Sequence, residues 1–246
     1  MKVSLPYSSE IAIRAFHDPG LFVGVLEGQG LCYNGIIANH YKSLIFHGGN
    51  MHPLDDYTYI RKNAFEFTEF EIPEDDDFIS YVKNCLSQGY YIYIILNERF
   101  VKGQRAYQKY DFLHDYMIFG FDVETKEFDT IGYCGFTFRI EQMPYDMIEQ
   151  GHRSIPATNL INISRIETSL CRVKKDYQDE PIKARALRWH IWHYLHPIIP
   201  VWGTAIHDVY MRFLKNNYAK SKKYDEINVH HLRHLYESKY AIGIAL

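Results

Sequence analysis

The stretch Glu27–His40, EGQGLCYNGIIANH, decides how the rest of this chain is read. After Gln29 and Gly30, Cys32 opens a run whose apolar positions Ile36, Ile37 and Ala38 predict a helix ending near His40. A cysteine in the first turn of a helix feels the positive end of the macrodipole and the unpaired N–H groups there, which favour a thiolate nucleophile and an oxyanion beside it. Gln29, three residues earlier, can bring a side-chain amide donor to the same spot. The complementary group lies far along the chain. In KYDFLHDYMIFGFD (109–122), His114 stands at the start of a predicted strand. A helix-initial cysteine with a strand-initial histidine is a nucleophile-and-base pair suited to acyl transfer.

Between these two points the sequence predicts a helix, a strand and a loop. Pro73 and the acidic run Glu74–Asp77 mark a helix start, Phe78, Ile79, Val82 and Leu86 keep a helical period, and Gly89 stops it. YYIYIILN (90–97) is almost entirely β-branched or aromatic and predicts a central strand buried on both faces. A polar loop (98–110) leads to the His114 strand, DVETK turns the chain, and EFDTIGYCGFTFRI (127–140) returns as an antiparallel partner. Upstream, LFVGVLEG (21–28) is a short apolar segment, 41–50 a strand and turn, and 57–72 strand or mixed structure. From Tyr145 the pattern turns helical, with candidates at MPYDMIEQGH, 181–196, 204–217 and 227–241. The expected layout is a catalytic region, 1–144, and a helical region, 145–246, packed on it as one unit.

Composition narrows the class. Of 246 residues, 47% are hydrophobic and 23% charged, an ordinary globular balance, and the 21 Tyr and 15 Phe suit core and cleft lining. A net charge of −3 argues against a protein held to nucleic acid by phosphate contacts. MKVSLPYSSEIAIRAF has neither the apolar run nor the cleavage site of a secretory signal, and no apolar run is long enough to span a membrane. The expected setting is therefore the reducing cytoplasm, with Cys32, Cys85, Cys134 and Cys171 as free thiols. Cys85, Cys134 and Cys171 read as core residues.

Two features have plainer readings beside sharper ones. His190, His193 and His196, and the HHxxH of His230, His231 and His234, have spacings that put side chains on one helix face. No HExxH glutamate and no nearby cysteine accompanies them, so packed or solvated histidines are expected and no metal. WHIWHYLHPIIPVW (189–202) reads as core or a homodimer interface, with an acyl or pantetheine channel as the functional alternative. Lys215, Lys220, Lys222 and Lys223 form a basic cluster that is either a solvated face or a dock for an acidic protein.

Taken together, QGLCYN (29–34), the apolar strand after a glycine-stopped helix, and LHDYMIFGFD (113–122) resemble the papain-like fold of the bacteriocin-processing (C39-like) peptidases. They are most similar to a branch of cysteine acyltransferases in antibiotic pathways, of the butirosin acyltransferase and closthioamide amide synthetase type. The resemblance covers residues 24–140. It implies an α+β fold in which a helix bearing the cysteine packs on an antiparallel sheet bearing the histidine. It further implies Cys32 as nucleophile, His114 as base and Gln29 as oxyanion donor. Asp129, fifteen residues after the histidine, matches the group that orients the imidazole, although no proline follows it as in the family. Asp115, Asp122 or a backbone carbonyl are the substitutes. The implied reaction moves an acyl group from a carrier-protein thioester, through acyl-Cys32, to a small amine in nonribosomal-peptide-like biosynthesis. The carrier's phosphopantetheine arm is the donor, and no metal or further cofactor is needed. A cysteine peptidase of the same fold and a catalytically silent scaffold are the alternatives.

Overall fold

The computed structural model describes residues 1–11, 17–40, 44–47, 50–53, 59–73, 77–134, 137–155 and 168–179. In chain order the elements are β1 (Lys2–Ser4), α1 (His17–Gly28), α2 (Asn34–His40), β2 (Leu44–His47), β3 (Asn50–Pro53), α3 (Tyr59–Ala64), β4 (Phe65–Glu69), α4 (Phe78–Ser87), β5 (Tyr91–Asn97), β6 (Leu113–Asp122), β7 (Glu127–Cys134), β8 (Thr137–Pro144), α5 (Tyr145–Arg153) and β9 (Ser169–Val173). A single 3-10 turn, Glu98–Phe100, follows β5. The class is α+β. The chain divides into two compact units interleaved in sequence: Met1–Ile11, Gly20–Gly30 and Ala64–Tyr177 make the first, and Ala12–Pro19, Leu31–Asn63 and the chain from Gln178 the second.

The first unit is an antiparallel sheet in the order β4-β9-β5-β6-β7-β8, with β1 pairing the far end of β6 to complete seven strands. Every residue of β5 is buried, as expected from its aromatic and β-branched run. Even-numbered Ile92, Ile94 and Leu96 share a core with Phe78, Val82 and Leu86 of α4, Ile148 of α5 and Tyr116 and Ile118 of β6. On the opposite face, the Phe22 ring of α1 meets those of Phe65 and Tyr93. Each fully buried side chain of this size contributes about 1.5–3 kcal/mol relative to exposure, so a strand covered on both sides anchors the unit.

Local chemistry sets the element ends. Asp77 caps α4 by accepting from the Ser80 backbone N–H at 2.7 Å and its hydroxyl at 3.0 Å, bonds that hold the carboxyl below its ordinary range. Gly89, at φ +84°, ends that helix where a side chain would be strained. The register of β6 against β7 shifts between Ile118 and Gly120. At Gly120 a Cβ would lie 2.5 Å from Asp129 Oδ2 and 2.8 Å from the Val3 carbonyl oxygen, so only glycine fits where β1, β6 and β7 meet.

Several expectations are corrected. The short apolar segment 21–28 is the body of a helix, α1. The returning segment 127–140 is two strands, β7 and the start of β8, paired in a hairpin. The region after residue 144 is not wholly helical: β9 inserts between β4 and β5, because Leu170 and Cys171 supply the buried positions of a strand there. The sheet therefore runs across the expected 144/145 boundary. Residues 57–72 resolve into α3 and β4, and α5 forms as expected. Cys85 and Cys171 are core residues, whereas Cys134 is half-buried at the end of β7. The expected helices 181–196, 204–217 and 227–241, the two histidine sets, segment 189–202 and the Lys215–Lys223 cluster lie outside the described residues. Among the described residues no helix is long and apolar enough to cross a membrane.

His152 of α5 packs against the rings of Phe70 and Phe78, with Nδ1 3.4 Å from the Ile95 carbonyl oxygen. Burial lowers its pKa below the ordinary 6.5. The unfolded chain then binds a proton near pH 6.5 that the folded chain refuses. The contribution is thus fully present above that pH and is lost as pH falls toward the depressed folded value. Urea unfolding between pH 7.5 and 5 is expected to show stability falling below pH 6.5 in the wild type, with a slope of up to about 1.4 kcal/mol per pH unit from this residue. His152→Phe should flatten the profile by that share.

Candidate functional site

His114 sits at the second position of β6 and pairs across to Leu96, so its side chain lies on the α4/α5 face of the sheet. Its Nδ1 is 3.1 Å from Oε1 of Glu98, a carboxylate side chain only 7% exposed, while the imidazole is 24% exposed. The backbone explains the meeting. The Glu98 N–H donates to the Phe112 carbonyl at 2.7 Å, which extends the β5–β6 ladder by one step. Residue 98 thus faces 112 and is the diagonal neighbour of 114 on one face.

A buried carboxylate needs donors, and this one has them. The Tyr116 hydroxyl donates to Glu98 Oε1 at 3.2 Å. Burial, together with the nearby Glu98 charge, pushes the Tyr116 pKa far up, so the phenol remains a neutral donor. Gln104 Nε2 in turn donates to the Tyr116 hydroxyl at 2.8 Å and to the Tyr133 carbonyl at 2.6 Å. Fully buried Asn97 closes the base of the loop: its Oδ1 accepts from the backbone N–H groups of Arg99 and Phe112, and its Nδ2 donates to Asp111 Oδ1 and the Ser154 carbonyl. The contact sets a carboxyl group beside Nδ1, an arrangement able to orient an imidazole.

Cys32, in the second unit, is exposed and precedes α2 by two residues rather than standing in its first turn. The first-turn N–H groups are taken by Asp179: Gly35 donates to Oδ2 at 2.8 Å and Ile36 to Oδ1 at 3.0 Å. The Cys32 thiol donates to the same Oδ2 at 3.3 Å. A carboxylate thus holds the position that the sequence reading assigned to an oxyanion.

The remaining expected residues are elsewhere. Asp129 pairs with Gly120, six residues from His114 along β6, or about 20 Å at strand rise. It also alternates with core residue Phe128 and so lies on the opposite face, where Gln142 Nε2 donates to it at 3.4 Å. The turn at 123–126 fixes that register, and it takes Asp129 away from the imidazole. Asp115 accepts from the Tyr93 hydroxyl, and Asp122 lies 3.9 Å from Lys2. Neither replaces Glu98 beside His114. Gln29 ends α1 and donates through Nε2 to the Tyr91 hydroxyl at 3.2 Å; burial raises the Tyr91 pKa to about 12. Tyr91 points to the face opposite Ile92, so Gln29 and His114 are on different faces of the sheet. Among the described residues no group of three metal-ligating side chains occurs.

Glu98 was legible in principle: an acid directly after a buried strand, in a hairpin whose returning strand starts with histidine, meets that histidine on pairing. Asp179 carries no such signal, being 147 residues from Cys32. Comparison of the chain with protein-family models and with curated proteins returns no match.

Two outcomes are expected. Glu98→Ala leaves Tyr116 and His114 facing an empty buried site and should destabilise the protein by about 2–3 kcal/mol in chemical denaturation, more than Glu98→Gln. Asp179→Asn removes a negative charge beside Cys32 and should raise its iodoacetamide alkylation rate at pH 7 by up to about eightfold, the scale of Coulomb repulsion at this distance in water. An unchanged rate would mean that the carboxylate does not restrain the thiol.

Proposed function

We propose that the protein is a papain-like cysteine acyltransferase that moves an acyl group from a carrier-protein thioester through Cys32 to a small amine. The observation that carries this reading is the His114–Glu98 pair: a partly exposed imidazole whose Nδ1 faces a buried carboxylate, leaving Nε2 to move a proton. An exposed cysteine ahead of a helix supplies a nucleophile of the right kind. Glu98 replaces Asp129 as the residue that orients the imidazole, and it does so as a positioning residue.

The reaction follows from these groups. His114 Nε2 takes the Cys32 proton, and the sulfur attacks the thioester carbonyl. The tetrahedral oxyanion is met by backbone N–H groups. The carbon–sulfur bond to the phosphopantetheine thiol breaks, and that thiol leaves with the proton from His114. An amine then attacks acyl-Cys32, His114 takes the amine proton, and the Cys32 thiol is released with an amide as product. The sequence of steps requires Asp179 to leave the thiol, since a carboxylate 3.3 Å away opposes a thiolate. That contact also favours a second reading, a non-catalytic binding protein of the same class. A peptidase would use the same groups on an amide.

Intact mass after mixing with acyl-loaded carrier protein tests the proposal. The wild type is expected to gain the acyl mass and Cys32→Ala not to gain it. His114→Ala should acylate roughly 100-fold more slowly and Glu98→Gln less severely. Addition of an amine should discharge the adduct as an amide. No adduct in the wild type, or the same adduct in Cys32→Ala, overturns the reading.

A further inference from the structure

The loop that closes over Glu98 carries a feature the chemistry above does not use. Within residues 98–110, Arg99, Lys102, Arg105 and Lys109 are all exposed, in a chain whose formal net charge is −3. Among the described residues only Arg99 of these four is ion-paired, with Asp111 at 3.5 Å. The cations alternate with buried anchors, Val101, Gln104 and Ala106. Backbone bonds fold the segment tightly: Val101 N–H to Glu98 O at 3.1 Å, Gln108 N–H to Arg99 O at 2.9 Å and Lys109 N–H to Ala106 O at 2.9 Å. Gln104 ties it to the Tyr116 hydroxyl that bonds Glu98, so the basic surface and the His114 pair rest on one hydrogen-bond network. The loop leaves through two exposed aromatics, Tyr110 and Phe112, and the Phe112 ring stands 5.4 Å from the His114 ring.

We propose that this loop is the docking surface for an acidic protein, which under the acyl-transfer reading it rests on is the acyl-loaded carrier. Charge complementarity selects the class of partner. A nucleic-acid site would be expected on a basic protein, and the pI is about 6.5. A small anion would be met by convergent buried donors, whereas these four side chains are exposed around a folded loop. A rim of cations beside exposed aromatic rings fits a protein interface. Docking there brings an acidic partner to the end of the sheet where His114 lies.

The test uses the full chain and a fluorescently labelled acyl carrier protein of net negative charge in its phosphopantetheine form. Anisotropy should show binding that weakens on going from low salt to physiological ionic strength. Binding should weaken about tenfold in the triple variant Lys102→Glu/Arg105→Glu/Lys109→Glu. Acylation of Cys32 by a small acyl-N-acetylcysteamine thioester, which needs no docking, should be equal in both proteins. If the triple variant does not fold by thermal melt, Lys102→Gln/Lys109→Gln should still lose about threefold. Equal carrier affinity in wild type and variant, no carrier binding by the wild type, or preference for duplex DNA or anionic vesicles over the carrier overturns the docking surface. Carrier binding that depends on these charges without any Cys32 adduct from either donor would keep the surface and overturn the acyl-transfer reading.

Discussion

A carboxylate taken almost wholly out of water imposes strict terms on what surrounds it, and Glu98 does so at the end of the sheet where β5 gives way to β6. A buried carboxyl group without hydrogen-bond partners is costly. Its partners are therefore drawn from every neighbouring piece of backbone: His114 and Tyr116 from β6, the Phe112 carbonyl for its own N–H, and Gln104 behind Tyr116. Asn97 closes the loop base with four bonds of its own. The loop is held by these contacts together with its own backbone turns. The imidazole and the loop share one hydrogen-bond network through Glu98, Tyr116 and Gln104.

Cys32 lives under the opposite regime. It is exposed, short of the helix it was expected to open, and its thiol bonds a carboxylate that also satisfies the first turn of α2. An aspartate there stabilises the helix end through the dipole and its unpaired N–H groups. The same negative charge opposes a sulfur anion beside it. One carboxylate, Asp179, thus serves both the helix end and the thiol.

The parts of the fold that the sequence made legible are those governed by short-range rules. The β5 run, almost entirely aromatic and β-branched, reads as a strand covered on both faces, Asp77 and Gly89 bound α4 by capping and by positive φ, and the turn after Asp122 returns the chain antiparallel. The misreadings have other causes. Asp129 stood at a plausible distance in sequence from His114, but strand alternation and the register of one turn put it on the other face and six residues along. Gln29 was three residues from Cys32, yet the end of α1 delivers it to Tyr91. For Asp129, pleat and register decide where the strand's side chain points, and for Gln29 the partner is a tyrosine 62 residues along the chain.

By itself the sequence determined the α+β class, the central strand, the capped helix before it, the His114 strand with its returning partner, and the residue types from which a cysteine–histidine chemistry could be built. Only the tertiary structure decided which acid faces the imidazole, what occupies the N–H groups near Cys32, and that β9 joins the sheet from beyond the expected boundary. The physical reason is the range of the interactions. Periodicity, capping and turn chemistry act within a few residues and leave their mark in the local pattern, whereas Glu98 meets His114 only once the strands pair, and Asp179 meets Cys32 across 147 residues, a contact no local pattern records.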